Sequence, residues 1–143
     1  MTIHQAEESD FDELISVWEL SVRASHHFLS EEDIQFYKKR IIGYYFYQVK
    51  LFYLEEDSKI TAFMGLSEEK IEALFVHPNW FRKGLGKFLC NYAVHTLNIK
   101  FLDVSEQNFQ AFEFYKSFGF EVIGRSEKDN DGKDYPLLHL KFK

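Results

Sequence analysis

The chain has 143 residues, of which 45% are hydrophobic and 28% charged, so it can enclose one hydrophobic core but is short for two domains. We therefore expect a single domain over residues 1–143. A net charge of −6 argues against a general affinity for nucleic acid, whose phosphates require a basic face, and would suit a cationic substrate.

Neither a membrane span nor an export signal is expected. No apolar run approaches the roughly 18 residues that cross a bilayer, and the segment from Met1 to Asp10 is polar and acidic. Cys90 is the only cysteine, which excludes an intramolecular disulfide and a cysteine-based metal site. We expect a cytoplasmic protein that binds no metal.

The first elements are a strand and two helices. Ile3 to Ala6 predicts a short strand, and Ser9 followed by acidic residues predicts the cap of a helix that runs to about Ala24. Ser30 repeats this pattern and predicts a second helix that extends through Ile41.

The middle of the chain predicts three strands. Two apolar runs, Val49 to Leu54 and Lys59 to Leu66, flank the turn-forming residues Glu56 to Ser58 and indicate a β-hairpin. A third strand, Ile71 to His77, ends at Pro78, because proline cannot donate to a ladder.

The last third alternates helices and strands. Apolar spacing predicts a helix from Leu85 to Leu97, a strand follows, and Asn108 caps a helix that Gly119 ends. The strands of this part are Phe101 to Val104, Phe120 to Ile123 and Leu137 to Phe142. This order predicts an α/β (α+β) sandwich with a mixed sheet and a strand-loop-helix unit at its centre.

That central unit carries the strongest functional signal. The loop Arg82-Lys83-Gly84-Leu85-Gly86-Lys87 joins a strand end to a helix start, where free backbone amides and the helix dipole attract anions. The alternative is a tight turn that merely needs glycine. The spacing excludes a Walker loop, since Phe88 replaces its hydroxyl residue, and a Rossmann loop, since Leu89 replaces its third glycine.

With these residues in place, the sequence resembles the GCN5-related N-acetyltransferase (GNAT) family, whose signature is Arg/Gln-x-x-Gly-x-Gly/Ala. The segment from Asn108 to Phe120 resembles the family's later pattern Asn-x-x-Ala-x-x-Phe-Tyr-x-x-x-Gly-Phe. The segment from Ser25 to Ser30, together with Gly124 to Ser126 and Gly132 to Leu138, is similar to a YjaB-like group of small bacterial acetyltransferases. One position departs from the signature, because Phe81 stands where its first Arg or Gln belongs.

The resemblance implies a mostly antiparallel sheet flanked by helices, acetyl-CoA as co-substrate, and direct attack of a primary amine on the thioester. It implies that backbone groups of the third strand polarise the thioester carbonyl and that Tyr115 protonates the departing thiolate. It assigns to the cofactor Leu74, Phe75, Val76, Arg82, Lys83, Gly84, Leu85, Gly86, Lys87, Asn108 and Tyr115.

The attacking amine must first lose a proton, since only about one lysine-like amine in a few thousand is neutral at pH 7. We expect Glu72 to serve, because two-residue alternation places it on the strand face of Leu74 and Val76; the alternative is a solvated carboxylate.

The acceptor pocket is expected in the variable segment between residues 25 and 47. His26, His27 and Phe28 are the candidate substrate-binding residues, with the histidines as contacts or proton relays or, alternatively, as plain surface residues. The aromatic run Tyr44 to Tyr47 either walls this pocket or belongs to the core.

The expected enzyme acetylates a lysine of a protein or peptide, or a small-molecule amine, as a monomer or homodimer. The competing hypotheses are a non-catalytic or regulatory module that binds coenzyme A and a structural domain without a cofactor. The sequence does not identify the acceptor.

Overall fold

A computed structural model describes residues 1–143, which form seven strands and four α-helices. The strands are β1 (His4–Gln5), β2 (Lys50–Glu56), β3 (Lys59–Leu66), β4 (Lys70–Val76), β5 (Phe101–Ser105), β6 (Phe120–Ser126) and β7 (Leu137–Phe142). The helices are α1 (Phe11–Ser25), α2 (Glu31–Gly43), α3 (Leu85–Asn91), which continues as a π turn (Tyr92–Thr96), and α4 (Phe109–Phe118).

All seven strands join one sheet in the order β1-β2-β3-β4-β5-β7-β6. Every neighbouring pair is antiparallel except β4 and β5, which are parallel. The predicted mixed, mostly antiparallel sheet is confirmed. The hairpin of β2 and β3 turns at Asp57 and Ser58, whose positive φ values of 52° and 64° match the twist of antiparallel strands.

Helices cover the sheet on both faces. Leu14, Trp18 and Val22 of α1 are buried at helical spacing against one face, where they pack with Phe63 of β3. On the other face Leu89 of α3 lies in a second buried cluster together with residues of β3 to β7 and α4. The central strands are therefore buried on both sides, which explains why β3 reads as an almost continuous apolar run.

The start of α1 differs from the prediction. Ser9 lies inside a 3₁₀ turn, Glu8–Asp10, and the helix begins two residues later at Phe11. The amide of Glu7 donates to the carboxylate of Asp10 at 2.8 Å, which closes a capping box around the 3₁₀ turn, and no side chain caps the first amides of α1. The predicted Ser9 cap is wrong, whereas the Ser30 cap of α2 is confirmed, since its hydroxyl accepts from the amide of Asp33 at 3.1 Å. None of the four helices has the length and hydropathy that crossing a bilayer requires.

Candidate active site

The two parallel strands at the centre of the sheet separate soon after they meet. β4 and β5 pair only at Lys70 with Phe101 and at Ile71 with Leu102. Beyond these pairs a cleft of about 180 Å³ lies between the strands, and Tyr115 of α4 lines it. The cleft leaves backbone groups of β4 without a neighbouring strand, which gives a site for a ligand with amide groups.

Alternation along β4 decides which amides face this cleft. The amide of His77 donates to the carbonyl of Thr61 in β3 at 2.8 Å. Two-residue alternation then turns the amide of Phe75 toward β3 and the amides of Leu74 and Val76 toward the cleft. The backbone of Phe75 therefore belongs to the β3 ladder, although the residue also lines the cleft.

The glycine loop presents a row of free backbone donors. No amide from Arg82 to Lys87 donates to a protein acceptor, and the first bonded amide is that of Phe88, at 3.0 Å from the carbonyl of Gly84. Gly84 has a φ of 82°, which a residue with a side chain adopts only with strain. Buried Leu85 anchors the helix start. Unpaired donors beside basic side chains form an anion site.

These donors open into a cavity of about 350 Å³, which we call the donor pocket. Of the eleven residues assigned to the cofactor in the sequence, all except Lys83 line it. Phe81, which departs from the family signature, lines it as well, together with Trp80 and Phe114. The pocket therefore combines an apolar wall with a basic, amide-rich rim, as a long ligand with a phosphate group requires.

Gly86 shows that the rim fits such a group. A Cβ atom built on Gly86 would lie 4.0 Å from both Phe114 and Val76, which is ordinary contact distance. Nothing in the fold therefore demands glycine at this position. A phosphate that approaches the backbone does demand it, because a side chain would stand in its path.

Tyr115 faces both the donor pocket and the cleft. Its ring is buried and packs against Phe114 and Phe120 at centroid distances of 5.1 and 5.8 Å. Its hydroxyl makes no hydrogen bond to the protein. Every fully buried polar side-chain atom does make one, so this hydroxyl is not fully buried and reaches the cavity surface. Burial, followed by the nearby Cys90, raises the pKa of Tyr115, which keeps the phenol protonated at neutral pH.

The three candidate substrate-binding residues after α1, His26 to Phe28, lie in different environments. His26 lines the donor pocket and the cleft, and its ring nitrogens lie 2.8 Å from Ser25 Oγ and 3.2 Å from Asn108 Nδ2. His27 is exposed and lines none of the larger cavities. Phe28 is half-buried and packs on the His26 ring at 5.4 Å. The alternative that the histidines are plain surface residues therefore holds for His27 and is wrong for His26.

Glu72 reaches the site by a different route from the predicted one. The register of β3 and β4 shifts between Gly65 and Leu66, which leaves Glu72 as the extra residue of a β-bulge. Ile71 rather than Glu72 lies on the buried face of β4 together with Leu74. The prediction from alternation that Glu72 shares this face is therefore wrong. The bulge exposes Glu72, whose side chain lines the cleft and the cavity beyond it.

That second cavity, the aromatic cavity, has a volume of about 580 Å³ and adjoins the cleft through Glu72, Phe75 and Asp103. Tyr44 and Tyr45 line it together with Phe46, which is also buried in the core. Tyr47 does not, since it is exposed and donates to Glu8 at 2.8 Å.

Sequence reasoning missed the acidic side chains of this region. Asp129 and Asp131, from the β6–β7 connection, line the aromatic cavity, where Tyr37 and Tyr45 of the α2 region donate to them. Asp103 of β5 lies 2.7 Å from Lys70 Nζ and 2.6 Å from Nδ1 of His139. No local sequence pattern predicts these contacts, because they depend on which strands are neighbours in the sheet. No three His, Cys, Asp or Glu side chains meet in a way that would hold a metal ion.

The comparisons with known proteins agree with this geometry. A family profile described as an acetyltransferase (GNAT) domain matches residues 48–122, which run from β2 through the glycine loop and α4 into the start of β6. The peptidyl-lysine N-acetyltransferase YjaB of Salmonella typhimurium is 36% identical over 141 residues, covering 98% of this chain and 97% of the relative. YjaB of Escherichia coli is 35% identical over 143 residues, covering 99% and 97%.

Solved structures are similar over the same length. The solution structure of apo-form YjaB from Escherichia coli matches with a TM-score of 0.89 at 35% identity, covering 99% of this chain and 96% of the other. A PaiA N-acetyltransferase from Thermoplasma acidophilum, solved in complex with coenzyme A, matches with a TM-score of 0.75 at 20% identity, covering 99% and 100%. The second likeness concerns the fold alone.

Proposed function

Since the chain belongs to the GNAT family and is an acetyl-CoA-dependent N-acetyltransferase, we propose that it transfers the acetyl group to the side-chain amine of a lysine in a protein or peptide. The observation that carries the proposal is the cleft, which adjoins the donor pocket on one side and the aromatic cavity on the other. The two substrates enter from opposite sides and meet between β4 and β5.

The donor side is proposed to hold acetyl-CoA by its pyrophosphate and its pantetheine arm. The free amides from Arg82 to Lys87 bind the pyrophosphate, and the cleft-facing amides of Leu74 and Val76 bind the arm and the thioester carbonyl. An amide aimed at that carbonyl oxygen stabilises the negative charge that develops on it during attack.

The acceptor side is proposed to take an amine on an apolar chain. Tyr44, Tyr45 and Phe46 supply aromatic walls for the methylene groups, and carboxylates surround the cationic end. Glu72 is the best-placed group to accept the amine proton, directly or through water. It lines the cleft and the aromatic cavity without a protein partner, whereas Asp103 already binds Lys70 and His139.

In the reaction the new C–N bond forms as the C–S bond breaks. The hydroxyl of Tyr115 donates a hydrogen bond to the departing sulfur. An ordinary phenol, with a pKa of about 10, holds its proton more tightly than an ordinary thiol, with a pKa of about 8.5, and burial raises the pKa of Tyr115 further, which favours a hydrogen bond to the sulfur over complete proton transfer. We therefore assign to Tyr115 the stabilisation of the thiolate by a charge-assisted hydrogen bond, with its final proton supplied from the amine or solvent.

The test is acetyl-CoA turnover against a panel of acceptors: a lysine peptide with a blocked N-terminus, the same peptide with arginine in place of lysine, a free N-terminal peptide and a polyamine. Thiol release with the blocked lysine peptide, and mass spectrometry that places one acetyl group on its lysine, is the expected result. Release with the polyamine alone would exclude the peptide acceptor.

The same assay separates the competing hypotheses. Binding of acetyl-CoA without thiol release on any acceptor would favour a coenzyme A-binding module. Absence of any rise in melting temperature with acetyl-CoA would favour a structural domain, because a ligand of the native state must stabilise it. We further propose a cytoplasmic location, where this co-substrate is supplied, and cell fractionation would test it.

A further inference from the structure

His26 connects the end of α1 to the start of α4 through two hydrogen bonds. Nδ1 lies 2.8 Å from Ser25 Oγ, and Nε2 lies 3.2 Å from Asn108 Nδ2. The ring packs between Phe28 and Phe75, with centroid distances of 5.4 and 6.2 Å. The imidazole is therefore held on both edges, and it forms part of the wall between the donor pocket and the cleft.

The neighbouring bonds settle which ring nitrogen carries the proton. Ser25 has one hydroxyl hydrogen, and it donates to the carbonyl of Ser21 at 2.7 Å. Ser25 Oγ must then accept, so Nδ1 of His26 donates. The carboxamide of Asn108 uses Oδ1 to accept from the amide of Ala111 at 3.2 Å, which turns its NH₂ group toward His26. Nε2 of His26 therefore accepts from Asn108, and the ring is neutral.

The charge state agrees with this arrangement. Burial, followed by the neighbouring His27, lowers the pKa of His26 to about 4. A proton on Nε2 would point at the NH₂ group of Asn108 and oppose two donors. With both nitrogens engaged, His26 has no lone pair free to take a proton from a substrate.

We propose that His26 is a positioning residue that fixes the carboxamide of Asn108, leaving the second Nδ2 hydrogen of Asn108 free for a carbonyl of the acetyl-CoA arm. The inference rests on the proposed function of the donor pocket. It replaces the expectation that His26 contacts the acceptor or relays its proton.

Two conservative variants distinguish the two hydrogen bonds that the His26 imidazole makes. The side chain of His26→Gln reaches the Nε2 position and keeps an acceptor for Asn108, whereas that of His26→Asn reaches only the Nδ1 position. We expect acetyl-CoA to bind His26→Gln within about threefold of wild type and His26→Asn about tenfold more weakly, the value of one hydrogen bond. His4→Asn, at the far edge of the sheet, is the matched control and should bind normally.

Turnover distinguishes positioning from proton relay. At saturating acetyl-CoA, the pH profile of kcat should keep its wild-type shape in both His26 variants, because a positioning residue takes up no proton during the reaction. A fall in kcat with an altered pH profile would establish a relay and overturn the proposal. Equal affinities of His26→Gln and His26→Asn for acetyl-CoA would also overturn it.

Nitrogen-15 NMR of the wild-type imidazole tests the geometry without any variant. The expected spectrum at neutral pH shows a protonated Nδ1 and an unprotonated Nε2; a protonated Nε2 would overturn the assignment. If the wild type does not bind acetyl-CoA, the proposed function fails and this role with it. If the wild type binds and the two variants bind alike, only the assignment of His26 fails.

Discussion

Tyr115 has a buried ring and a hydroxyl that no protein group engages, which makes the hydroxyl separable from the packing. Tyr115→Phe removes only this hydroxyl. We expect kcat to fall about 10- to 100-fold, the value of a hydrogen bond to a charged group, while the Kd for acetyl-CoA changes little. Pre-steady-state and steady-state thiol release would measure the first quantity, and calorimetry the second.

The matched control is Tyr92→Phe, since Tyr92 packs in the same half of the core and lies outside the donor pocket. Its kcat should equal that of the wild type. A Tyr115→Phe enzyme with unchanged kcat would remove the phenol from the reaction.

The buried neutral ring of His26 also makes a prediction for stability. In the unfolded chain a histidine ionises near pH 6.5, whereas burial lowers the pKa of His26 to about 4 in the fold. As pH falls from 6.5 toward 4, the unfolded state binds a proton that the native state does not, so the free energy of unfolding decreases. The full difference is on the order of 3 kcal/mol, and above pH 6.5 it has no pH dependence.

Urea unfolding at a series of pH values would check this, with His26→Gln for comparison. The variant lacks the ionisable ring, so its stability should decline less steeply across the same window. Parallel curves for the two proteins would show that His26 is protonated alike in the folded and unfolded states.

At the scale of elements, the loop before α3 contains two glycines with different reasons to be there. Gly84 has a φ of 82°, so Gly84→Ala should lower the free energy of unfolding by about 1–2 kcal/mol through backbone strain. Gly86 has room for a Cβ atom, so Gly86→Ala should preserve or slightly raise stability, since alanine is the better helix former. The Gly86→Ala change should instead lower the affinity for acetyl-CoA.

Thermal unfolding and calorimetry on the two variants would separate these effects. We expect Gly86→Ala to weaken acetyl-CoA binding by at least about tenfold, because the methyl group occupies the path of the pyrophosphate. Unimpaired binding by Gly86→Ala would show that the phosphate does not approach this amide.

Most elements were predictable because their signals are local. The side chains of Ser30 and Asn108 cap their helices by accepting from an amide in the first turn, and Pro78 follows one residue after the end of β4 at Val76. The prediction failed at Ser9, because the residues before α1 form a 3₁₀ turn that the Glu7 amide and the Asp10 carboxylate close. It also failed at Glu72, because alternation assumes an unbroken register and the bulge adds one residue.

At the scale of the whole molecule, the cofactor side of the site was predictable and the acceptor side was not. The donor pocket is built largely from two continuous segments, so the loop around Gly84 and the helix that begins at Asn108 could be recognised in the sequence. The aromatic cavity depends on contacts between distant segments. Asp131 meets Tyr45 across 86 positions and Tyr37 meets Asp129 across 92, and nothing local foretells such pairs.

These distant contacts tie the β6–β7 connection to α2 and so shape the aromatic cavity. Asp131, whose side chain is only 9% exposed, accepts from Arg40 at 3.0 Å and from Tyr45 at 2.9 Å. Asp131→Asn keeps the size of the side chain but removes the charge that holds both partners. We expect the KM for a lysine peptide to rise about fivefold to tenfold, while the Kd for acetyl-CoA stays constant, because the donor pocket lies on the other side of the cleft.

Asp134→Asn is the control for this change, since Asp134 lies in the same connection with the same charge but is exposed and pairs only with Lys128. A general effect of net charge on a cationic peptide would raise the KM in both variants and weaken in salt. An effect that arises from the shape of the cavity would appear in Asp131→Asn alone and persist at high ionic strength. Equal KM values in Asp131→Asn and the wild type would show that the peptide does not enter through the aromatic cavity, and the acceptor route would then have to lie elsewhere along the cleft.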